Sequence, residues 1–236
     1  MPRSRLIALL ALAAVLLSGC KLGSWFGGNG VSKLSAQEIF DQAKSGADAA
    51  TSVRVQGRLI SEGQQVSIDM RVTQGQSARG VITMGGNTIE LVRSGLDVYV
   101  KGSDGFYESI GIRAMPRQLQ GKYLKVQAGN GEFASLTGLT DIRQIFDLFR
   151  PARPLTKGKK RKINGLRAIG LVEKGDGGRT LFVALQGQVL PVRITTRTEA
   201  GGSESIDFLE YNQPFTIAVP PKASVVDINQ LTKAAA

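Results

Sequence analysis

Side chains able to do chemistry are scarce in this chain. Histidine is absent from all 236 residues, which removes the commonest general base and zinc ligand, and Cys20 is the only cysteine. A lone thiol cannot close an internal disulfide. Ser18 and Lys21 have a Ser-x-x-Lys spacing, but they flank Cys20 at the end of an apolar run. The segment Gly27-Gly28-Asn29-Gly30 follows no strand and precedes no Gly-Lys-Ser/Thr, so it is not a phosphate-binding loop. Carboxylates such as Glu90, Asp97 and Glu108 remain as acid–base candidates, although solvated hairpin charges are the more ordinary reading. Lys157, Lys159, Lys160, Arg161 and Lys162 form the densest basic run. An exposed strand edge protected by charge accounts for such a run. The functional alternative is contact with anionic headgroups, each charge adding about 1 kcal/mol near a membrane surface. No enzyme, cofactor or metal is expected.

The setting of Cys20 explains the thiol. Arg3 and Arg5 precede an almost wholly aliphatic stretch over residues 6–17, too short for the roughly 20 residues of a permanent membrane span. The stretch ends in Leu17-Ser18-Gly19-Cys20, which resembles the lipobox of bacterial lipoproteins. That resemblance implies a signal peptide over 1–19, a diacylglyceryl group on the Cys20 thiol and cleavage before it. Two fatty chains suffice for stable attachment where one is marginal. Residues 20–33 read as a flexible tether rich in glycine and serine. Within it, Trp25 and Phe26 suit either the lipid interface or packing on the domain. The expected location is the extracytoplasmic face of the cell membrane.

Loss of residues 1–19 removes two of the 30 basic side chains and none of the 19 acidic ones, leaving a net charge of +9. Such a charge suits an anionic membrane face or an acidic partner and says nothing of fold. Nucleic acid is not expected for an exported, anchored chain. The rest suffices for one domain with a substantial core, 34–228, and a loose tail, 229–236.

The domain must begin with a helix. Ser35-Ala36-Gln37-Glu38 fits a capping box, and Ile39, Phe40, Ala43 and Ala47 share one face of a helix ending near residue 50. Period-two alternation follows: Val53, Val55 and Leu59 against Arg54, Gln56 and Arg58, then Val66, Ile68, Met70 and Val72 against Ser67, Asp69 and Arg71. Further strands are expected at 81–84, 88–93, 96–101 and 105–110. Short turns between them leave room only for an antiparallel meander. Residues 112–119 and 141–151 read as helices flanking Gly121-Lys122-Tyr123-Leu124-Lys125-Val126-Gln127. Strands resume on either side of Asn164-Gly165, a two-residue hairpin turn, and continue at 179–185, 188–197 and 203–211. The count is about eleven strands and three main helices, and the proline-rich segment after Tyr211 is extended.

This order, with Leu190-Pro191-Val192-Arg193, Tyr211-Asn212 and Pro220-Pro221 before Val226-Asp227, is similar to the LppX/LprG-type lipoproteins of actinobacteria, relatives of the LolA/LolB-like carriers. The resemblance spans residues 35–227. It implies an α+β fold, a half-closed antiparallel β-barrel whose concave apolar face is covered by helices. It further implies that a lipid or glycolipid is held between sheet and helices and carried or sheltered in the envelope. The apolar phase of the strands then supplies a candidate lining: Val53, Val55, Leu59, Ile68, Met70, Ile89, Leu91, Val98, Leu181, Val183 and Ile194. These aliphatic side chains suit acyl chains, which need dispersion contact rather than directed hydrogen bonds. The competing reading is a sensory or scaffolding lipoprotein that uses the same fold to bind another envelope protein.

Overall fold

The computed structural model describes residues 28–61, 63–109, 119–129, 133–147, 150–175, 178–197 and 203–228. The signal peptide, Cys20, Trp25, Phe26, most of the expected 112–119 helix and the 229–236 tail lie outside the described residues.

The expected capping box forms. Ser35 Oγ accepts from Glu38 N at 3.3 Å, and Glu38 Oε2 accepts from Ser35 N at 2.8 Å, opening α1 (Ala36–Asp48). Ile39, Ala43 and Ala47 are wholly buried along one stripe. Burying one isoleucine contributes roughly 2–3 kcal/mol, which dwarfs the helix's own propensity.

A single twelve-stranded sheet receives that stripe. Its first half is the expected meander: β1 (Ser52–Ser61), β2 (Gln64–Thr73), β3 (Ser77–Met84), β4 (Asn87–Ser94), β5 (Asp97–Gly102) and, later, β6 (Tyr123–Gln127). The second half comprises β7 (Leu155–Ile163), β8 (Leu166–Glu173), β9 (Thr180–Ala184), β10 (Pro191–Arg197) and β11 (Ser203–Leu209). Pairing of β1 with β11 joins the halves and, with a last short strand β12 (Val225–Asp227), gives the order β12-β6-β5-β4-β3-β2-β1-β11-β10-β9-β8-β7. Two concave-face glycines permit close approach of neighbouring strands. A Cβ on Gly80 would meet Met70 Cα at 2.6 Å, and one on Gly57 would meet Ile206 Cα at 2.8 Å.

Several expectations need correction. The strand expected at 105–110 is replaced over its described residues by a helix: β5 stops at Gly102, and α2 (Asp104–Ser109) begins with Phe106 N and Tyr107 N donating to Ser103 O. Adjacent Phe106 and Tyr107 are both buried, which an alternating strand does not allow. The segment around Tyr123 is a strand, and the helical insert contains α3 (Ala134–Gly138) as well as α4 (Ile142–Asp147). After β11 the chain runs as a strap along the outer face and ends in β12 (Val225–Asp227), which pairs in parallel with β6. Residues 28–33, expected within the tether, belong to the fold: Asn29 N donates to Leu185 O at 2.9 Å and Val31 is 2% exposed.

The concave face carries the core in two parts. The larger lies between β1–β6, β10 and β11 and the cover made by α2, α4 and Phe133. The smaller sits beneath α1 and Val31, on β8 and β9. A third, outer cluster joins Ile163, Ala168, Phe182, Ala184 and Val192. Val192 faces outward while Ile194 faces inward because the β9–β10 register shifts between Pro191 and Arg193.

Candidate functional site: the concave face

All eleven proposed lining residues lie on the concave face. Val53, Val55, Ile68, Met70, Ile89, Leu91, Val98 and Ile194 belong to the larger cluster, with Leu59 packed against it. Val183 belongs to the cluster beneath α1, and Leu181 touches both. Strand alternation places them there, because successive side chains point to opposite faces.

Among the described residues most of these side chains are packed rather than spread around a hollow. Met70, Ile89, Leu91, Val98 and Val183 have no exposed surface. The slot between α1 and strands β7–β10, lined by Phe40, Leu171, Leu181 and Ile194, encloses only about 20 Å³. That is room for one water molecule. Burial relaxes toward the β1–β2 and β3–β4 hairpins, where Leu59 and Val66 are half-buried and Met84 is exposed. A larger groove of about 610 Å³ lies on the outer face instead, between Arg54, Arg79 and Val81 and the strap residues Gln213–Ile217.

Polar groups on the concave side are few. Arg93 occupies the apolar phase of β4 and is 5% exposed. Its Nε donates to Gly95 O at 2.9 Å and its Nη1 to Thr140 Oγ1 at 3.2 Å. Arg93 is not among the residues expected from the sequence; the signal available is an arginine in the phase where Ile89 and Leu91 predict another aliphatic residue. Tyr107 donates to Val100 O at 3.3 Å, and burial raises its phenol pKa. Tyr211 packs against the larger cluster and stacks on Phe146. Among the described residues its hydroxyl has no hydrogen-bond partner, and burial pushes its pKa well above the ordinary tyrosine range.

The carboxylates considered for acid–base work serve elsewhere. Glu90 accepts from Tyr123 Oη at 2.8 Å, Asp97 pairs with Lys125 at 2.9 Å, and Glu108 is exposed on α2. At the rim of the slot, burial pushes the Glu173 carboxyl up, but hydrogen bonds from Arg179, Ala152 N and Arg153 N leave it lowered. Among the described residues no cluster of three or more Cys, Asp or Glu side chains is arranged to hold a metal ion. Nor is any described helix long and apolar enough to cross a membrane.

The basic run divides. Lys157 Nζ donates to Leu34 O at 2.9 Å and Ser32 O at 3.4 Å, so it ties the entry to α1. Lys159, Lys160, Arg161 and Lys162 are exposed on β7, the edge strand.

LprF from Mycobacterium bovis matches with a TM-score of 0.53 at 18% identity, over 78% of this chain and 96% of that one. The fold is that of LprF. The resemblance to LppX/LprG-type lipoproteins therefore holds at the level of architecture. A LolA superfamily protein from Nitrosomonas europaea matches more loosely, with a TM-score of 0.28 at 10% identity, over 77% of this chain and 95% of that one. No family model matches the chain, and no curated protein matches it in sequence.

Proposed function

We propose that the chain is a lipoprotein, anchored through Cys20 outside the cytoplasmic membrane, that binds a lipid or lipid-linked molecule on its concave face and carries or shelters it in the envelope. The observation that carries this reading is the continuous aliphatic face formed by β1–β5, β10 and β11 beneath short helices. α2 and α4 have six residues each and α3 has five, too few to be stable without their apolar contacts. An acyl chain replaces aliphatic contacts with aliphatic contacts, so it can displace such a cover at little cost in buried area. Lipid uptake in this reading moves the helices and leaves the sheet in place. The fold likeness to LprF supports the reading.

The tight packing of the concave face among the described residues favours a second reading, a scaffolding or sensory lipoprotein that binds an envelope protein with its interior filled. Organic extraction and mass spectrometry of the purified, non-lipidated protein separates the two. A co-purifying lipid at one per chain supports the carrier. Repeated recovery of lipid-free protein from membrane-containing cells overturns it.

A further inference from the structure

Lys162 on β7 stands directly opposite Arg167 on β8, a cross-strand pair of like charges. Such pairs are destabilising, and among the described residues no carboxylate bridges either member, nor Lys159, Lys160 or Arg161. Edge protection explains cations on β7, the outermost strand, but not Arg167 on β8, which is paired on both sides. The pairing Lys160↔Ile169 puts Lys160, Lys162 and Arg167 on the concave side, where Ile169 packs beneath α1. At the tip Asn164 (φ 49°) and Gly165 (φ 84°) make the left-handed hairpin turn. Asn164 Nδ2 donates to Asp207 Oδ1 at 2.9 Å, which fixes the turn against β11. The next residue, Leu166, stands opposite Ile163 on the outer side of the tip and is a large apolar side chain 44% exposed.

The N-terminal segment converges on the same tip. From Leu34, held by Lys157, the chain runs back toward the N-terminus to Asn29, whose N donates to Leu185 O. Leu185 N in turn donates to Arg167 O at 2.8 Å. The first described residues thus lie beside the β7–β8 hairpin. Seven residues separate Cys20 from Gly28, and covalent geometry limits the eight steps between them to at most about 28 Å. We infer that the tip of the β7–β8 hairpin docks end-on upon an anionic bilayer, with Lys160, Lys162 and Arg167 of its concave side on headgroups and Leu166 of its outer side entering the interface. The inference rests on the anchoring at Cys20 proposed above: the short tether holds this hairpin at the membrane and leaves the β3–β6 half of the sheet outermost.

The test uses the chain from residue 20 onward with Cys20→Ala, which retains every described element and removes the acylation site. Binding is measured by co-sedimentation with phosphatidylglycerol vesicles and with phosphatidylcholine vesicles. The parent is expected to bind only the former, more weakly as salt rises over the screening range near 0.1 M. Lys160→Gln with Lys162→Gln and Arg167→Gln should weaken binding roughly a hundred-fold, about five-fold per charge. The control Arg58→Gln with Arg79→Gln and Lys222→Gln removes equal charge from other exposed positions and should have a much smaller effect. Equal losses for the two triples, or binding to neither vesicle, overturns the inference. A second readout keeps the charges intact. Trp25 is the sole tryptophan, so in a Trp25→Phe background Leu166→Trp should be quenched by brominated phosphatidylglycerol and Val219→Trp, on the strap, should not. Equal or reversed quenching overturns the proposed orientation. Neither result depends on acylation or lipid carriage, so failure here leaves the anchor and carrier readings to their own tests.

Discussion

Tyr211, just beyond β11, stacks on Phe146 of α4 with ring centroids 6.5 Å apart and an interplanar angle of 11°. Phe146 in turn packs against Phe208 of β11 at 4.9 Å. Three rings thus join one covering helix to the central strands, and the hydroxyl of one of them is buried with no partner among the described residues. An unsatisfied buried hydroxyl costs about 1–3 kcal/mol, whereas the ring supplies the packing.

Tyr211→Phe is therefore expected to stabilise the protein by about 1 kcal/mol in urea unfolding. The pH dependence has a definite sign. Burial raises the folded pKa of Tyr211 above its unfolded value near 10, so the stability is fully present below pH 10 and is lost as pH rises beyond it. The phenylalanine variant should show a shallower alkaline fall, and Tyr107, another buried phenol whose pKa burial raises, should maintain part of it. Destabilisation at neutral pH would mean that the hydroxyl is satisfied.

On the outer face, Arg54 donates to Asp69 through Nε at 2.8 Å and Nη2 at 2.7 Å, and through Nη1 to Glu210 at 3.0 Å. Arg71 also bonds Glu210, at 3.0 Å from its Nε. This network links β1 and β2 to the first residue of the strap. Hydrogen bonds from Arg54 lower the carboxyl pKa of both Asp69 and Glu210. Lowered folded values mean stability that is present above the unfolded pKa near 4 and is lost as pH falls through the folded values. Because both carboxylates are substantially exposed, the effect is screened. Arg54→Met is expected to cost about 1 kcal/mol at pH 7 and markedly less near pH 2. An equal cost at both pH values, measured by denaturant unfolding, would assign the loss to packing of the arginine stem.

Much of this architecture is visible in short-range patterns. Ser35 with Glu38 marks the start of α1, Asn164-Gly165 marks the β7–β8 turn, and the alternation through Val53 and Met70 identifies the concave face. Features decided by long-range contact are not visible. Residues 104–109 alternate well enough to pass for a strand until Phe106 and Tyr107 are seen buried side by side. β12 is three residues long and pairs with β6 about a hundred positions earlier, so no local signal marks it. Alternation also cannot distinguish an apolar face that holds a ligand from one that holds helices. The lining residues were identifiable as a face, and their filling by α1, α2 and α4 was not.

Cys20→Ala should abolish incorporation of labelled fatty acid and leave an uncleaved precursor. The expectation rests on the short apolar run and the Leu17-Ser18-Gly19-Cys20 sequence. Metabolic labelling followed by membrane fractionation checks it, and labelling equal to that of the parent would remove the anchor from the account.

The concave face itself is tested by added volume at two places with different covers. Ile68 belongs to the cluster beneath α2 and α4, and Val183 to the one beneath α1. Both are packed, at 9% and 0% exposure, so Ile68→Trp and Val183→Trp should each cost the ligand-free protein about 1–3 kcal/mol through overpacking. Ile60→Trp, on the outer face of β1 at 54% exposure, should cost little. If a lipid occupies the concave face by displacing a covering helix, a ring fixed there competes with the acyl chain. Uptake of a fluorescent lipid from vesicles should then fall in the folded fraction of at least one inner variant and stay unchanged in Ile60→Trp. Loss at Val183→Trp alone would put the acyl chain beneath α1, and loss at Ile68→Trp alone would put it beneath α2 and α4. Undiminished uptake by both folded inner variants would remove the concave face as the binding site and leave its aliphatic residues as core.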